Sequence, residues 1–365
     1  MPEKTIMTFH EKYVQYDMGE GHPFRGDRFK NSMKFFEEHK LFQQPDLALV
    51  TPEPASKQDL LRVHDEKYVN LIWRLAKENK PYDFETPVSA KILEAAMLII
   101  GGSIECGKSV AQGKAKRAIS LGGGHHHAGR SHGGGFCLFN DVAVLIEYLR
   151  CKHKVERFLV LDYDVHFGNG TSDIYYQDPT VLYISLHQDP KTLYPGTGFI
   201  AQAGEGSGKG YNINVPLPPG TGDDTYLYAL NEVFVPVAEE FNPQIIIANG
   251  GSDAHFADML GDLNLTAKGF FGIAHLIGET ADRVCKGKLI LVPGSGYNPQ
   301  VLPSCWYALA AGAMGLKEID VEEREQPPKE PAECRKTVEK TVDEVKRSLR
   351  NHWAGFGGFA MNTVP

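Results

Sequence analysis

The chain has 365 residues, enough for two average domains or one large α/β domain. Apolar residues make up 42% and charged residues 23%, the balance of a globular protein with a sizeable core. A net charge of −8, with no Lys/Arg run longer than a pair, argues against a nucleic-acid binder, which would present a basic face.

The N-terminal stretch MPEKTIMTFHEKY lacks the apolar run of a secretory signal, and no segment approaches the ~20 apolar residues of a membrane span. Further on, short β-rich runs alternate with helix-like stretches. The runs are Ala118–Leu121, Arg157–Tyr163, Thr180–Leu186, Gln244–Asn249 and Lys288–Val292. Between and after them, Asp141–His153, Asp224–Phe241, Leu265–Val284 and Gln300–Gly315 carry apolar residues at helical spacing. This alternation predicts an α/β fold with a mostly parallel sheet flanked by helices on both faces. The runs RFLVLDY, QIIIAN and KLILVP are almost continuously apolar, as strands buried on both faces are. Glu322–Pro331 is charged and Pro-rich and reads as a linker or surface excursion. After it Val338, Val342, Val345 and Leu349 form one stripe of an amphipathic helix. The expected organisation is one catalytic domain over 1–320, with the linker and C-terminal helix of 321–365 packed on it. The six cysteines include no C-x-x-C pair, which excludes a zinc ribbon and points to thiols of a reducing, cytoplasmic compartment.

Chemistry concentrates where the runs end. Asp162, Asp164 and His166 follow RFLVL at alternate positions, and they share one side if the extended conformation persists. Carboxylate oxygen and imidazole nitrogen both suit Zn²⁺. A third ligand is offered by Asp253, after QIIIAN and Gly250-Gly251-Ser252, and two acids with one imidazole leave a coordination position open for water and substrate. The run AISL leads into Gly122-Gly123-Gly124-His125-His126-His127, which reads as a metal cluster, a polar loop or a set of general bases. Neighbours on an extended chain point to opposite sides, which favours proton transfer by one or two of them. Tyr297, which follows Gly294-Ser295-Gly296 after KLILV, is placed to donate to a developing oxyanion. Two other motifs fail on context. Gly129–Gly133 matches G-x-S-x-G but has no strand before it, and Gly204–Gly210 lacks phosphate-loop spacing.

The motifs GGGHHHA, GFCLFNDVA (135–143), DYDVHFGNG (162–170), ISLHQD (184–189), YPGTG (194–198), GSDA (251–254) and GSGYNP (294–299), in this order, resemble the zinc-dependent histone deacetylase family with its acetoin-utilisation and acetylpolyamine amidohydrolase branches. The resemblance runs from about Gly21 to Tyr307 and implies a single arginase-like domain. It implies Asp164, His166 and Asp253 as ligands of one Zn²⁺, with Fe²⁺ the other candidate ion. It makes His127 the general base and acid, His126 its electrostatic partner, and Asp162 and Asn169 their respective hydrogen-bonding partners. Tyr297 would polarise the scissile carbonyl, Phe136 and Tyr194 would wall an acyl-lysine channel with Leu260 at its rim, and Asp162, Ser185 and Leu186 would hold a structural K⁺. The implied reaction is hydrolysis of an acylated amine, of the acetyl-lysine type, releasing acetate or another short carboxylate. An acetylpolyamine or other small acyl-amine is the alternative substrate, and a silent acyl-lysine binder the non-enzymatic alternative.

Three departures from the family pattern stand out. Phe167 replaces a usual histidine, Asn169 the Asp of one branch, and His125 a usual Pro, Gly or aromatic residue; His125 would line the rim or stay inert. A binuclear manganese site would need acids where Gly168 and His255 stand, so only His255 could serve a second ion.

Overall fold

The computed structural model describes residues 4–357. Eight strands make one sheet: β1 (Thr5–Thr8), β2 (Leu47–Val50), β3 (Arg117–Ser120), β4 (Phe158–Asp162), β5 (Val181–Gln188), β6 (Asn212–Leu217), β7 (Ile245–Gly251) and β8 (Leu289–Ser295). Their order is β2-β1-β3-β8-β7-β4-β5-β6 and every pairing is parallel. The inner strands are buried along their whole length, which is why Ile245-Ile246-Ile247-Ala248 carries no polar alternation. All five expected runs are strands, offset by one to three residues at their ends.

Helices cover the sheet, and local chemistry sets their limits. Helix Asp141–His153 starts where the Asn140 side chain accepts from the Ala143 N–H, and Thr266 does the same for Gly269 at helix Ala267–Cys285. Lys154, Asn242 and Lys286 end their helices in the left-handed conformation.

The C-terminal helix, Cys334–Leu349, buries Val338, Val342, Val345 and Leu349 against helix Asp223–Phe241 and β6. The Arg335 guanidinium lies 3.8 Å from the centroid of the Tyr228 ring, and Lys346 pairs with Glu232. The charged stretch before this helix is not a free linker. Val321 is buried, the Thr225 hydroxyl donates to Glu330 at 3.0 Å, and Glu323 reaches into the domain.

Candidate active site

Four neighbouring strands, β3, β8, β7 and β4, deliver the chemically loaded segments to the carboxyl edge of the sheet. Their carboxyl ends are 42 to 175 residues apart in the chain because each returns through covering helices; in the sheet the four strands are neighbours.

Asp164, His166 and Asp253 converge, with ligand atoms within 4.8 Å of one another and all three residues buried. His166 Nδ1 lies 3.2 Å from Asp164 Oδ1 and 3.3 Å from Asp253 Oδ2. Backbone amides fix the acids: His166 N–H donates to Asp164 Oδ1 at 2.9 Å and Val165 N–H to Asp253 Oδ1 at 3.2 Å. Burial and the charge of Asp164 push the Asp253 carboxyl up to about 7. Two carboxylates this close, out of water, call for a divalent cation, and two oxygens plus one imidazole nitrogen suit Zn²⁺ or Fe²⁺.

Asp162 does not join this group. The strand ends at Asp162, the chain then turns, and the alternation of an extended segment is lost. Its Oδ2 lies 2.9 Å from His126 Nδ1 and accepts the Tyr183 hydroxyl at 2.8 Å. Nor is the histidine run extended. A turn at 126–127 brings the two rings together, with Nε2 atoms 3.1 Å apart, instead of sending them to opposite sides. His127 Nδ1 lies 2.7 Å from Asn169 Oδ1. Burial disfavours a cation on His126, but Asp162 and Asp164 together outweigh it and raise this imidazole to about 9. Burial also holds His127 down, reinforced by the charges of His126 and His166, to well below its ordinary range. One imidazole of the pair, beside a carboxylate, favours its charged form, and the other, beside an amide, its neutral form. Gly168 permits the packing, since a Cβ there would lie 2.4 Å from Asp162 Oδ2 and 2.8 Å from His126 Nδ1.

His125 turns the other way. It is buried, stacks on Tyr16 at 4.8 Å, and contributes to the lining of the small cavity that His126 and His127 also reach. His255 is already engaged: its Nδ1 accepts the Ala257 N–H at 3.1 Å and its Nε2 lies 3.0 Å from Glu323 Oε2. Phe167 packs in the core between Tyr183 and His187.

Tyr297 is buried, and burial with the charges of Asp253 and Asp164 keeps its phenol protonated far above its usual range. With His126, His127, Asp164 and Phe136 it lines a small cavity of about 20 Å³. Phe136 has φ +67° and is held there by the Tyr16 hydroxyl, which donates to its carbonyl at 2.7 Å. Its ring meets Tyr297 edge-on, while Tyr194, half exposed, sets its edge against His127 and His166. Leu260 is half-buried and its N–H donates to Asp258. Asp162 and Ser185 are register partners on β4 and β5; the Ser185 hydroxyl is bonded to His187, and the Leu186 carbonyl accepts from Tyr226 at 3.3 Å.

Four supporting residues were not singled out as site residues from the sequence. Asp141 accepts the N–H groups of Gly124 and His125, fixing the histidine loop. Asp258 accepts those of Tyr297 and Asn298. Arg28 donates to the Gly294 carbonyl and lies over the Phe24 ring at 3.6 Å. Glu323, through His255, braces the turn after Asp253. Only Asp141 had a signal, as the acid of the NDVA segment.

Residues 22–313 match the model of the histone deacetylase domain. The chain belongs to the histone deacetylase family. A probable deacetylase of Archaeoglobus fulgidus is 36% identical over 323 residues, covering 88% of this chain and 89% of that protein. The acetoin utilization protein AcuC of Bacillus subtilis is 35% identical, covering 86% and 82%. The crystal structure of the HDA15 HD domain superposes with a TM-score of 0.85 at 27% identity, covering 97% of this chain and 98% of that one. This deacetylase-family chain is therefore a single-domain α/β hydrolase acting on amides. Among its described residues no helix is long and apolar enough to cross a membrane.

Proposed function

We propose that the protein is a zinc-dependent deacylase of acetyl-lysine-type substrates, with Asp164, His166 and Asp253 holding the ion. The supporting observation is the buried convergence of these three donors beside two imidazoles, one bonded to the Asp162 carboxylate and the other to the Asn169 amide. A bound divalent cation would acidify water and polarise the amide carbonyl. The protein's own groups do the rest. His127, its Nδ1–H donating to Asn169, keeps Nε2 free to take a proton from water and return it to the departing amine. His126, held cationic by Asp162, offers positive charge to the oxyanion that develops, and the protonated Tyr297 hydroxyl donates to it. Phe136 and Tyr194 wall the acyl-lysine stem, and the apolar Leu260 at the rim favours lysine chains over polyamines.

One observation favours acetylpolyamines instead: Glu85 and Asp83 lie close enough to Tyr194 to add to the effect of burial in raising its phenol. Asp162, Ser185 and Leu186 are the residues we propose for K⁺, and six free cysteines, five of them buried, fit a reducing cytoplasm.

The test is elemental analysis plus side-by-side turnover of acetyl-lysine peptides, longer acyl-lysines and acetylspermidine. We expect one zinc per chain and fastest turnover of an acyl-lysine peptide, both abolished in Asp253→Ala. Two ions per chain would refute the single-ion reading, faster acetylspermidine turnover the substrate class, and no turnover of any acyl-amine the catalytic one.

A further inference from the structure

A second cavity lies at the opposite end of the sheet from the catalytic groups, where strands begin. It measures about 710 Å³ and is lined by five lysines, Lys4, Lys114, Lys116, Lys286 and Lys288, with Asp46 the one carboxylate among the lining residues. Its wall is apolar at Leu47, Ala48, Val110 and Ala115.

The backbone forces three of these lysines together. Thr5, Arg117 and Leu289 are register partners on β1, β3 and β8, and the residues just before them are Lys4, Lys116 and Lys288. The ladder continues through that position, since Lys116 N–H donates to the Lys4 carbonyl at 2.9 Å and Leu289 N–H to the Lys116 carbonyl at 3.3 Å. Register partners on neighbouring parallel strands leave the sheet on the same face about 4.8 Å apart, and like charges so placed repel. Lys114 and Lys286, in the turns entering β3 and β8, add two more positive charges. Lys116 is paired with Asp282 at 2.9 Å, but Lys4, Lys114, Lys286 and Lys288 make no ion pair among the described residues. In a chain of net charge −8 this is a concentrated reversal of sign.

We propose that this cavity is a second, non-catalytic site, and that it binds a small oligophosphate anion. Several adjacent phosphates would neutralise the lysine row, as ammonium groups do for phosphate generally. The volume lies within the range of about 300–1,000 Å³ of small-molecule pockets, and the apolar wall can receive an organic group carried by the phosphates.

Isothermal titration of the whole protein, in about 150 mM salt, with inorganic tripolyphosphate and separately with ATP tests this. We expect saturable binding of one anion per chain, weakened at least about tenfold in Lys4→Gln/Lys114→Gln/Lys288→Gln, with acetyl-lysine turnover and circular dichroism of that variant unchanged. Tighter binding of ATP than tripolyphosphate assigns the site to organic phosphates. Equal affinities assign it to the phosphate chain alone, and both outcomes support the site. No saturable binding at about 1 mM of either anion overturns the proposal. Equal affinity in wild type and variant also overturns it, since the anion would then sit elsewhere, as at a metal ion.

Discussion

Replacing Asn169 with Asp tests what separates the two histidines. His126 and His127 are adjacent and equally enclosed, yet the one facing a carboxylate at 2.9 Å stands at about 9 and the one facing an amide at 2.7 Å lies well below 6.5. Burial and the charges of His126 and His166 hold His127 down, whereas Asp162 and Asp164 outweigh burial and raise His126. Part of the contrast belongs to Asp164, 3.9 Å from His126 Nε2, and burying a new carboxylate at 169 costs a further part. About 1–2 pH units are then expected for Asn169→Asp, within the usual effect of an opposite charge at this range. The assay is the pH profile of kcat/KM on an acetyl-lysine reporter at equal, saturating zinc. The acid limb should move up by that amount, because a base of higher pKa is protonated sooner as pH falls. A limb that stays within about 0.3 unit of wild type, in a folded and fully loaded variant, would refute His127 as the group that limb reports.

Tyr297→Phe should lower kcat by about 10²–10³ with KM changed little, as loss of one oxyanion donor does; unchanged hydrolysis would remove the tyrosine from the chemistry. Glu323→Ala should weaken zinc retention about tenfold, as loss of a supporting partner does, and Glu323→Gln, which can still accept from His255, should restore most of it. Equal zinc release from wild type and the Ala variant in a chelator would show that the brace does not bear on Asp253. Burial lowers His64 and His187 to about 4 in the folded protein, against 6.5 when free. The unfolded chain then binds protons that the folded one refuses, so this stability is full above pH 6.5 and is lost as pH falls toward 4. Urea unfolding of chelator-treated protein should show about 2 kcal/mol lost per histidine between pH 6.5 and 5, and a flat profile would contradict the assignment.

The interior of the sheet was legible because burial on both faces leaves one mark, an unbroken apolar run, and β4, β7 and β8 carry it. Strands β1 and β2, like β3, are four residues each, too short for a period to register, and only β3 was marked, by the glycine-histidine segment that follows it. β6 alternates Asn with Ile and Val, yet both asparagines are buried. Asn212 and Asn214 donate to the carbonyls of Gln202 and Phe199, which turns polar residues into part of the packing. No local propensity announces a side chain whose partner lies in another turn. The stretch around Glu323 is exposed over most of its length, as its composition expects, but its tie to the domain left no local mark for the same reason. Its charge and prolines describe a surface excursion, but one carboxylate caps the N–H of Ala267 and meets His255.

At the site, residue types at strand exits pointed to Asp164, His166 and Asp253, which do converge, because adjacent strand ends in a parallel sheet leave few places for buried acids to go. Direction was the part that failed. Alternation assumes extended backbone, and both motifs leave it, after Asp162 and at His126-His127. Those turns divide the labour: Asp162 swings away from the cation-binding group to charge His126, while Asn169 leaves its neighbour neutral. Had the chain stayed extended, both acids would have crowded one ion and neither imidazole would have had a partner. The glycine at 168 is what makes the turned arrangement possible, since any side chain there would occupy the space between Asp162 and His126.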